Sequence, residues 1–127
     1  MRVLLDTHVF LWAIGDRARL SSTALDVISD ERNELLISAA SLWEIALKVR
    51  AGKLRMPEES EYFARHMSLL GVQTLAVEGS HVLGVLSLPD HHRDPFDRLL
   101  ISQCRIERLP ILTVDRVMRK YAVKVLW

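Results

Sequence analysis

Five short runs of mainly apolar residues recur along the chain and are separated by segments of a different pattern. Runs of this length and composition are typical of strands buried on both faces of a parallel sheet. The predicted strands are Val3–Leu5, Leu35–Ile37, Val72–Val77, Ile111–Val114 and Val123–Leu126. Because helical segments alternate with these strands, the pattern predicts an α/β fold, a three-layer sandwich with a central five-stranded parallel sheet.

The helical segments show apolar residues at i, i+3, i+4 and i+7, together with residues that begin or end helices. The helix through Leu42 and Val49 follows this rule most clearly, with Ser38 or Ser41 as its cap and Gly52 at its end. The other predicted helices run from about Val9 to Gly15, from Ser21 through Ile28, from Pro57 to Gly71, through Val82 and Leu86 to Pro89, and from Pro95 to about Glu107.

Composition and charge place few limits on this fold. The chain has 127 residues, of which 50% are hydrophobic and 26% charged, which suits one domain over residues 1–127. A single cysteine, Cys104, excludes a disulfide framework. No apolar run approaches the roughly 20 residues of a membrane helix, so we expect a cytoplasmic protein. The net charge of +1 conceals basic clusters around Lys48 and Arg50 and around Arg116, which are compatible with a phosphate-backbone partner.

Two aspartates directly follow predicted strands. Asp6 follows the first strand and Asp115 follows the fourth. Ligands of open parallel sheets bind at the carboxyl ends of the strands, so both carboxylates should face the same crevice. Each aspartate could equally be a helix N-cap, and the sequence leaves both interpretations open.

Glu44 and Asp97 lie on helix faces that are otherwise apolar. Ser41 and Glu44 match the capping-box spacing, which gives Glu44 a structural alternative to a role in a site. Asp94 is a natural N-cap before Pro95, and Asp97 then heads the stripe of Leu100, Ile101 and Cys104. A carboxylate in such a place is costly to bury unless positive charge compensates it.

If these four acids converge, either some of them are protonated or a divalent cation lies among them. Carboxylate ligands without cysteine, and without a histidine at a matching spacing, favour Mg²⁺ or Mn²⁺ over Zn²⁺. The adjacent His91 and His92 lie in a polar turn and are predicted to be solvated, with a role near a substrate phosphate as the alternative. His8 either packs on a helix surface or borders the site. Trp12 and Trp43 lie close in the sequence to two of the acids and are either core aromatics or a partner-binding surface.

Four segments, in this order and spacing, resemble PIN-domain ribonucleases of the VapC toxin type. They are Leu4–Trp12, Ser38–Ile45, Asp94–Leu100 and Leu112–Asp115. The resemblance implies cleavage of RNA with Mg²⁺ or Mn²⁺, with Asp6, Glu44, Asp97 and Asp115 as catalytic and metal-binding acids and Thr113 beside the last. It also implies a homodimer that a VapB-like antitoxin neutralises. The candidate RNA contacts are Thr113, Arg98, Arg116, Lys48 and Arg50.

Two other functions compete with this one. A signalling receiver domain needs an acid at the end of its middle strand and a lysine after a late strand. The third predicted strand instead ends in Ala76-Val77-Glu78, and the late strand offers Asp115. A non-catalytic interaction module, in which the four acids only cap helices, would tolerate asparagine or serine at each of these positions.

Overall fold

The computed structural model describes all residues from Met1 to Trp127. Its strands are β1 (Arg2–Leu5), β2 (Glu34–Ser38), β3 (Val72–Leu75), β4 (Ile111–Leu112) and β5 (Val125–Leu126). Its α-helices are α1 (Thr7–Gly15), α2 (Ser22–Ser29), α3 (Ala39–Arg50), α4 (Ser60–Leu70), α5 (Gly79–Gly84) and α6 (Pro95–Glu107). Short 3₁₀ helices cover Arg17–Arg19, Val85–Ser87 and Arg116–Tyr121.

The five strands form one parallel sheet in the order β3-β2-β1-β4-β5. This confirms the predicted fold class. The order also differs from the 2-1-3-4-5 arrangement of receiver domains, so the receiver alternative is wrong. Because β1 is central and fully buried beyond Arg2, its run Val3–Leu5 has no polar face.

Two apolar layers enclose the sheet. One face packs against α1, α2 and α3 through a cluster that includes Val3, Leu5 and Phe10. The other face packs against α6 and the last 3₁₀ helix through a cluster that includes Leu4, Ile101 and Tyr121. Alternate residues of β1 therefore supply opposite layers, as expected for side chains that alternate across a strand.

Several predicted boundaries are wrong by a few residues. The helix predicted from Pro57 begins at Ser60, and β3 ends at Leu75 rather than Val77. β4 and β5 each contain two paired residues, where the sequence predicts four in each, Ile111–Val114 and Val123–Leu126. No helix is both long and apolar enough to cross a bilayer.

Candidate active site

Thr113 joins the acids that follow the two central strands. β1 and β4 are paired with Leu5 beside Leu112, which brings Asp6 next to the segment that begins at Thr113. The Thr113 hydroxyl donates a 2.6 Å hydrogen bond to Asp6 Oδ2 and accepts one of 3.0 Å from the backbone N–H of Asp115. This one buried hydroxyl therefore holds both the Asp6 carboxylate and the backbone at Asp115 in place.

Asp115 is at once a helix cap and a residue of this crevice. Its Oδ1 accepts a 2.9 Å hydrogen bond from the backbone N–H of Val117, which begins the last 3₁₀ helix. Its Oδ2 faces His92 instead. The two interpretations that the sequence left open for Asp115 are therefore compatible, since each applies to a different oxygen.

Glu44 is buried in the middle of α3 and not at its cap. Ser38 is the N-cap, because its hydroxyl accepts a 3.0 Å hydrogen bond from the backbone N–H of Ala40. Ser41 is inside the helix and accepts a 2.8 Å hydrogen bond from the Thr7 hydroxyl. The capping-box alternative for Ser41 and Glu44 is therefore wrong, and the Glu44 side chain, 7% exposed, forms a 2.9 Å ion pair with Lys48.

Asp97 heads α6 as the sequence predicts. Asp94 is the N-cap, and its Oδ1 accepts hydrogen bonds from the backbone N–H groups of Phe96 and Asp97, at 2.8 and 3.3 Å. Burial, together with the smaller effect of the negative charges of Asp6, Asp94, Glu44 and Asp115, raises the pKa of Asp97 to about 7. The acids that influence one another in this way occupy one region of the molecule.

Asp6 has the same electrostatic environment. Burial raises the pKa of its carboxyl group, Glu44 adds to the rise, and the Thr113 hydroxyl and His8 oppose it. Lys48 is the one lysine or arginine paired with any of the four acids. Burial is the main cause of both raised pKa values, and repulsion between the carboxylates adds to it. A divalent cation would relieve this repulsion, so the arrangement fits a cation bound among Asp6, Glu44, Asp97 and Asp115.

His92 lies at this cluster and not in solvent. Its Nε2 is 2.9 Å from Asp115 Oδ2, and its Nδ1 is 4.0 Å from Asp97 Oδ2. The side chain is 15% exposed, whereas His91 is exposed. The interpretation of both histidines as solvated is therefore wrong for His92. The signal in the sequence was the pair of ligand-type residues His91-His92, which is separated from the Asp94 cap by Arg93 alone.

Arg98 has a structural role, and its contact with RNA stays a prediction. Its guanidinium is 14% exposed and donates hydrogen bonds to four backbone carbonyls. The acceptors are Val85, Leu88, Pro89 and His92, at 2.9 to 3.4 Å. These bonds leave little of its donor capacity for a phosphate, and they hold the segment before α6 in place.

A basic groove begins beside the acids. Lys48 lines it together with Arg19, Lys53 and Arg55, and its cavity volume is about 530 Å³. Thr7, which follows Asp6, lies on its wall, and no aspartate or glutamate does. Arg50 lies elsewhere: it forms a 2.9 Å ion pair with Glu58 and borders an apolar groove between α3 and α4.

The remaining candidates lie at the surface. Arg116 is exposed and shares a small cavity with Thr113 and Arg119. Trp12 lines the basic groove, 6.0 Å from the ring of Trp127. Trp43 is 60% exposed and does not line that groove. The two tryptophans therefore do not form one groove for a partner.

Comparisons with known sequences identify the family to which the chain is similar. Residues 3–124 match the PIN domain family. The ribonuclease VapC22 of Mycobacterium tuberculosis is 30% identical over 123 residues, which cover 94% of this chain and 91% of that protein. The ribonuclease VapC16 of the same organism is 41% identical over 68 residues, 50% of this chain and 48% of that protein.

Solved structures share the fold at low sequence identity. VapBC2 from Rickettsia felis, bound to a promoter DNA fragment, superposes with a TM-score of 0.71 and 13% identity, covering 98% of this chain and 97% of that one. DNA-bound VapBC from Salmonella typhimurium superposes with a TM-score of 0.72 and 11% identity, covering 98% of this chain and 96% of that one. The five-stranded parallel sheet with its helices is thus an arrangement that those proteins also have.

Proposed function

This chain belongs to the PIN domain family, and from that premise we propose that it is a metal-dependent endoribonuclease and the toxin of a toxin–antitoxin pair. The observation that carries the proposal is the convergence of Asp6, Glu44, Asp97 and Asp115 at the carboxyl ends of β1 and β4. The raised pKa values of Asp6 and Asp97 support it, because they indicate a site that lacks positive charge. The ribonuclease names of both relatives support RNA as the substrate.

The four acids would hold Mg²⁺ or Mn²⁺, since both ions prefer carboxylate oxygens. A bound ion of this kind polarises the phosphodiester and lowers the pKa of a water molecule. Thr113 holds Asp6 by its 2.6 Å hydrogen bond, so the carboxylate keeps one orientation. We therefore assign Thr113 as a positioning residue for Asp6 rather than a substrate contact.

Glu44 is placed to orient the attacking water. Lys48 occupies its Oε2 at 2.9 Å, which fixes the carboxylate and leaves Oε1 as an acceptor. An oxygen held in this way can accept a hydrogen bond from water and align it for attack on phosphorus. RNA phosphates would contact Arg116 and the basic groove that includes Lys48, Lys53 and Arg55.

Total cellular RNA incubated with the purified protein tests the proposal. We expect discrete cleavage products with Mg²⁺ or Mn²⁺ and none with EDTA. Asp6→Asn should abolish cleavage, whereas Asp26→Asn, which changes an exposed aspartate on α2, should leave it intact. Cleavage that persists in EDTA, or in Asp6→Asn, would contradict a metal site built on these acids.

Metal binding has a readout that does not depend on RNA. A ligand that binds only the folded state stabilises it by about 2.7 kcal/mol at one hundred times its dissociation constant. Mn²⁺ should therefore raise the melting temperature of the protein, and it should do so much less for Asp97→Asn. Equal shifts in both proteins would remove Asp97 from the set of ligands.

We also propose a VapB-like antitoxin as partner and a homodimer as the assembly. The solved VapBC complexes support the first, and an apolar groove of about 370 Å³ between α3 and α4 offers a surface for an apolar segment. Trp43, exposed on α3, is a candidate contact near this groove. Light scattering of the purified chain tests the dimer, and affinity measurements with Trp43→Ala and Trp12→Ala test the two contacts.

A further inference from the structure

The backbone that carries His92 is held by Arg98, one residue after Asp97. The Arg98 Nη1 donates hydrogen bonds to the carbonyl oxygens of Pro89 and His92, at 2.9 and 3.2 Å. Its Nη2 donates to those of Leu88 and Val85, at 3.3 and 3.4 Å. The segment from Val85 to His92 is thereby attached to the first turn of α6. These hydrogen bonds fix the position of His92 relative to Asp97.

The ring of His92 is held as well as its backbone. It stacks on the buried ring of Tyr121, with 6.0 Å between centroids and 9° between planes. His91 meets the same tyrosine edge-on at 5.0 Å and stays exposed. Stacking fixes the face of the His92 ring and leaves its nitrogen-bearing edge directed at Asp97 and Asp115.

The contact between His92 and Asp115 is short but is not a hydrogen bond. Nε2 is buried and makes no hydrogen bond of acceptable direction, although Asp115 Oδ2 is 2.9 Å away. Two donor atoms that bind one ion at 2.1 Å and at right angles are about 3.0 Å apart. Donor atoms of His92, Asp97 and Asp115 all lie within 4.8 Å of one another, as ligands of a single ion require.

We propose that His92 is a nitrogen ligand of the metal ion at this site, through Nε2, beside Asp97 and Asp115. The proposal rests on the metal dependence proposed above but not on RNA as the substrate. It changes the expected donor set from oxygen alone to mixed nitrogen and oxygen. Imidazole favours transition-metal ions over Mg²⁺, so His92 should strengthen the binding of Mn²⁺ and Co²⁺ more than that of Mg²⁺.

Pulsed electron paramagnetic resonance on the wild-type chain loaded with Mn²⁺ tests the contact directly. We expect a ¹⁴N coupling of the size that a directly bound imidazole produces, in the absence of RNA. Manganese that binds without such a coupling overturns the role of His92 and leaves the four acids as ligands. No manganese binding at all would overturn both this inference and the proposed metal dependence.

A pair of variants tests the selectivity. His92→Phe keeps an aromatic ring against Tyr121 and removes the nitrogen, and His91→Phe is the matched control at the same tyrosine. Calorimetric titration should show Co²⁺ affinity reduced by about tenfold or more in His92→Phe, with a smaller loss for Mg²⁺. Equal losses for the two ions, or the same loss in His91→Phe, would contradict a ligand at position 92.

Discussion

The Thr113 hydroxyl donates a 2.6 Å hydrogen bond to Asp6 Oδ2 across a separation of 107 residues in the chain. Both side chains are buried, with Thr113 fully inaccessible and Asp6 5% exposed. A buried carboxylate loses its hydration, so a donor at this distance is a major compensation for its charge. The hydroxyl also accepts from Asp115, and its removal should therefore affect two acids together.

Thr113→Val should weaken both the fold and the metal site, because valine keeps the shape and removes the hydroxyl. We expect the free energy of unfolding of the metal-free protein to fall by about 1–3 kcal/mol, the usual result of leaving a buried polar group unpaired. Mn²⁺ affinity should fall by about tenfold or more, since Asp6 loses its orientation. Urea melts and calorimetry measure the two effects, and Thr74→Val, on the exposed side of β3, is the control. Unchanged Mn²⁺ affinity would contradict a positioning role.

The stability of the metal-free protein should fall as pH rises toward neutrality. Asp97 ionises near 3.8 in the unfolded chain and at about 7 in the folded one, mainly because it is buried. The folded state therefore binds an extra proton between these values, and the stabilisation from it is lost as pH passes 7. Asp6 contributes in the same direction.

Asp97→Asn should remove much of this pH dependence, since asparagine does not titrate. Urea melts in EDTA between about pH 4 and pH 8 measure it. We expect the variant to be more stable than the wild type above pH 7, with Asp26→Asn unchanged. If the free energy of unfolding of Asp97→Asn depends on pH as strongly as that of the wild type, groups other than Asp97 are responsible.

Two aspartates at one helix terminus should behave oppositely. Asp94 caps α6 through the N–H groups of Phe96 and Asp97, so Asp94→Ala should cost about 1 kcal/mol of stability and keep most cleavage per folded molecule. Asp97→Ala should lose cleavage by orders of magnitude with little loss of metal-free stability. Urea melts beside a cleavage assay separate the two, and a stable but inactive Asp94→Ala would contradict these roles.

Arg98→Lys should loosen the segment that leads into α6. A lysine ammonium cannot reproduce the four directions in which the guanidinium donates to carbonyls, so the change is not conservative. We expect faster amide hydrogen exchange from Val85 to His92 and a loss of roughly 2 kcal/mol of stability. Arg105→Lys, at an exposed arginine of the same helix, should change neither.

The fold and three of the acids follow from local patterns in the sequence. Val3–Leu5 has no polar face, and this indicates a central strand whether or not its neighbours are known. Asp6 and Asp115 follow strands, and parallel strands end at the same edge, so their proximity needs no further information. Asp97 follows from its distance of three residues from the Asp94 cap, which the structure confirms.

The predictions that were wrong, for the cap of α3 and for His92, depend on contacts between distant parts of the chain. Ser38 and Ser41 are both suitable caps, and the choice between them depends on Thr7, which bonds Ser41 from another helix. His92 lies in a polar turn, and turns of this kind are exposed to solvent in most proteins. Here Arg98 holds its backbone and Tyr121 its ring, and neither contact leaves a periodic signal in the sequence.

The position of β4 in the sheet also determines when the site can exist during synthesis. Asp6 is translated 107 residues before Thr113, so β1 is made long before β4. Until β4 pairs with β1, the nascent chain holds Asp6 without its hydroxyl donor and without Asp115 beside it. The cluster of acids therefore cannot form during synthesis before β4 has left the ribosome.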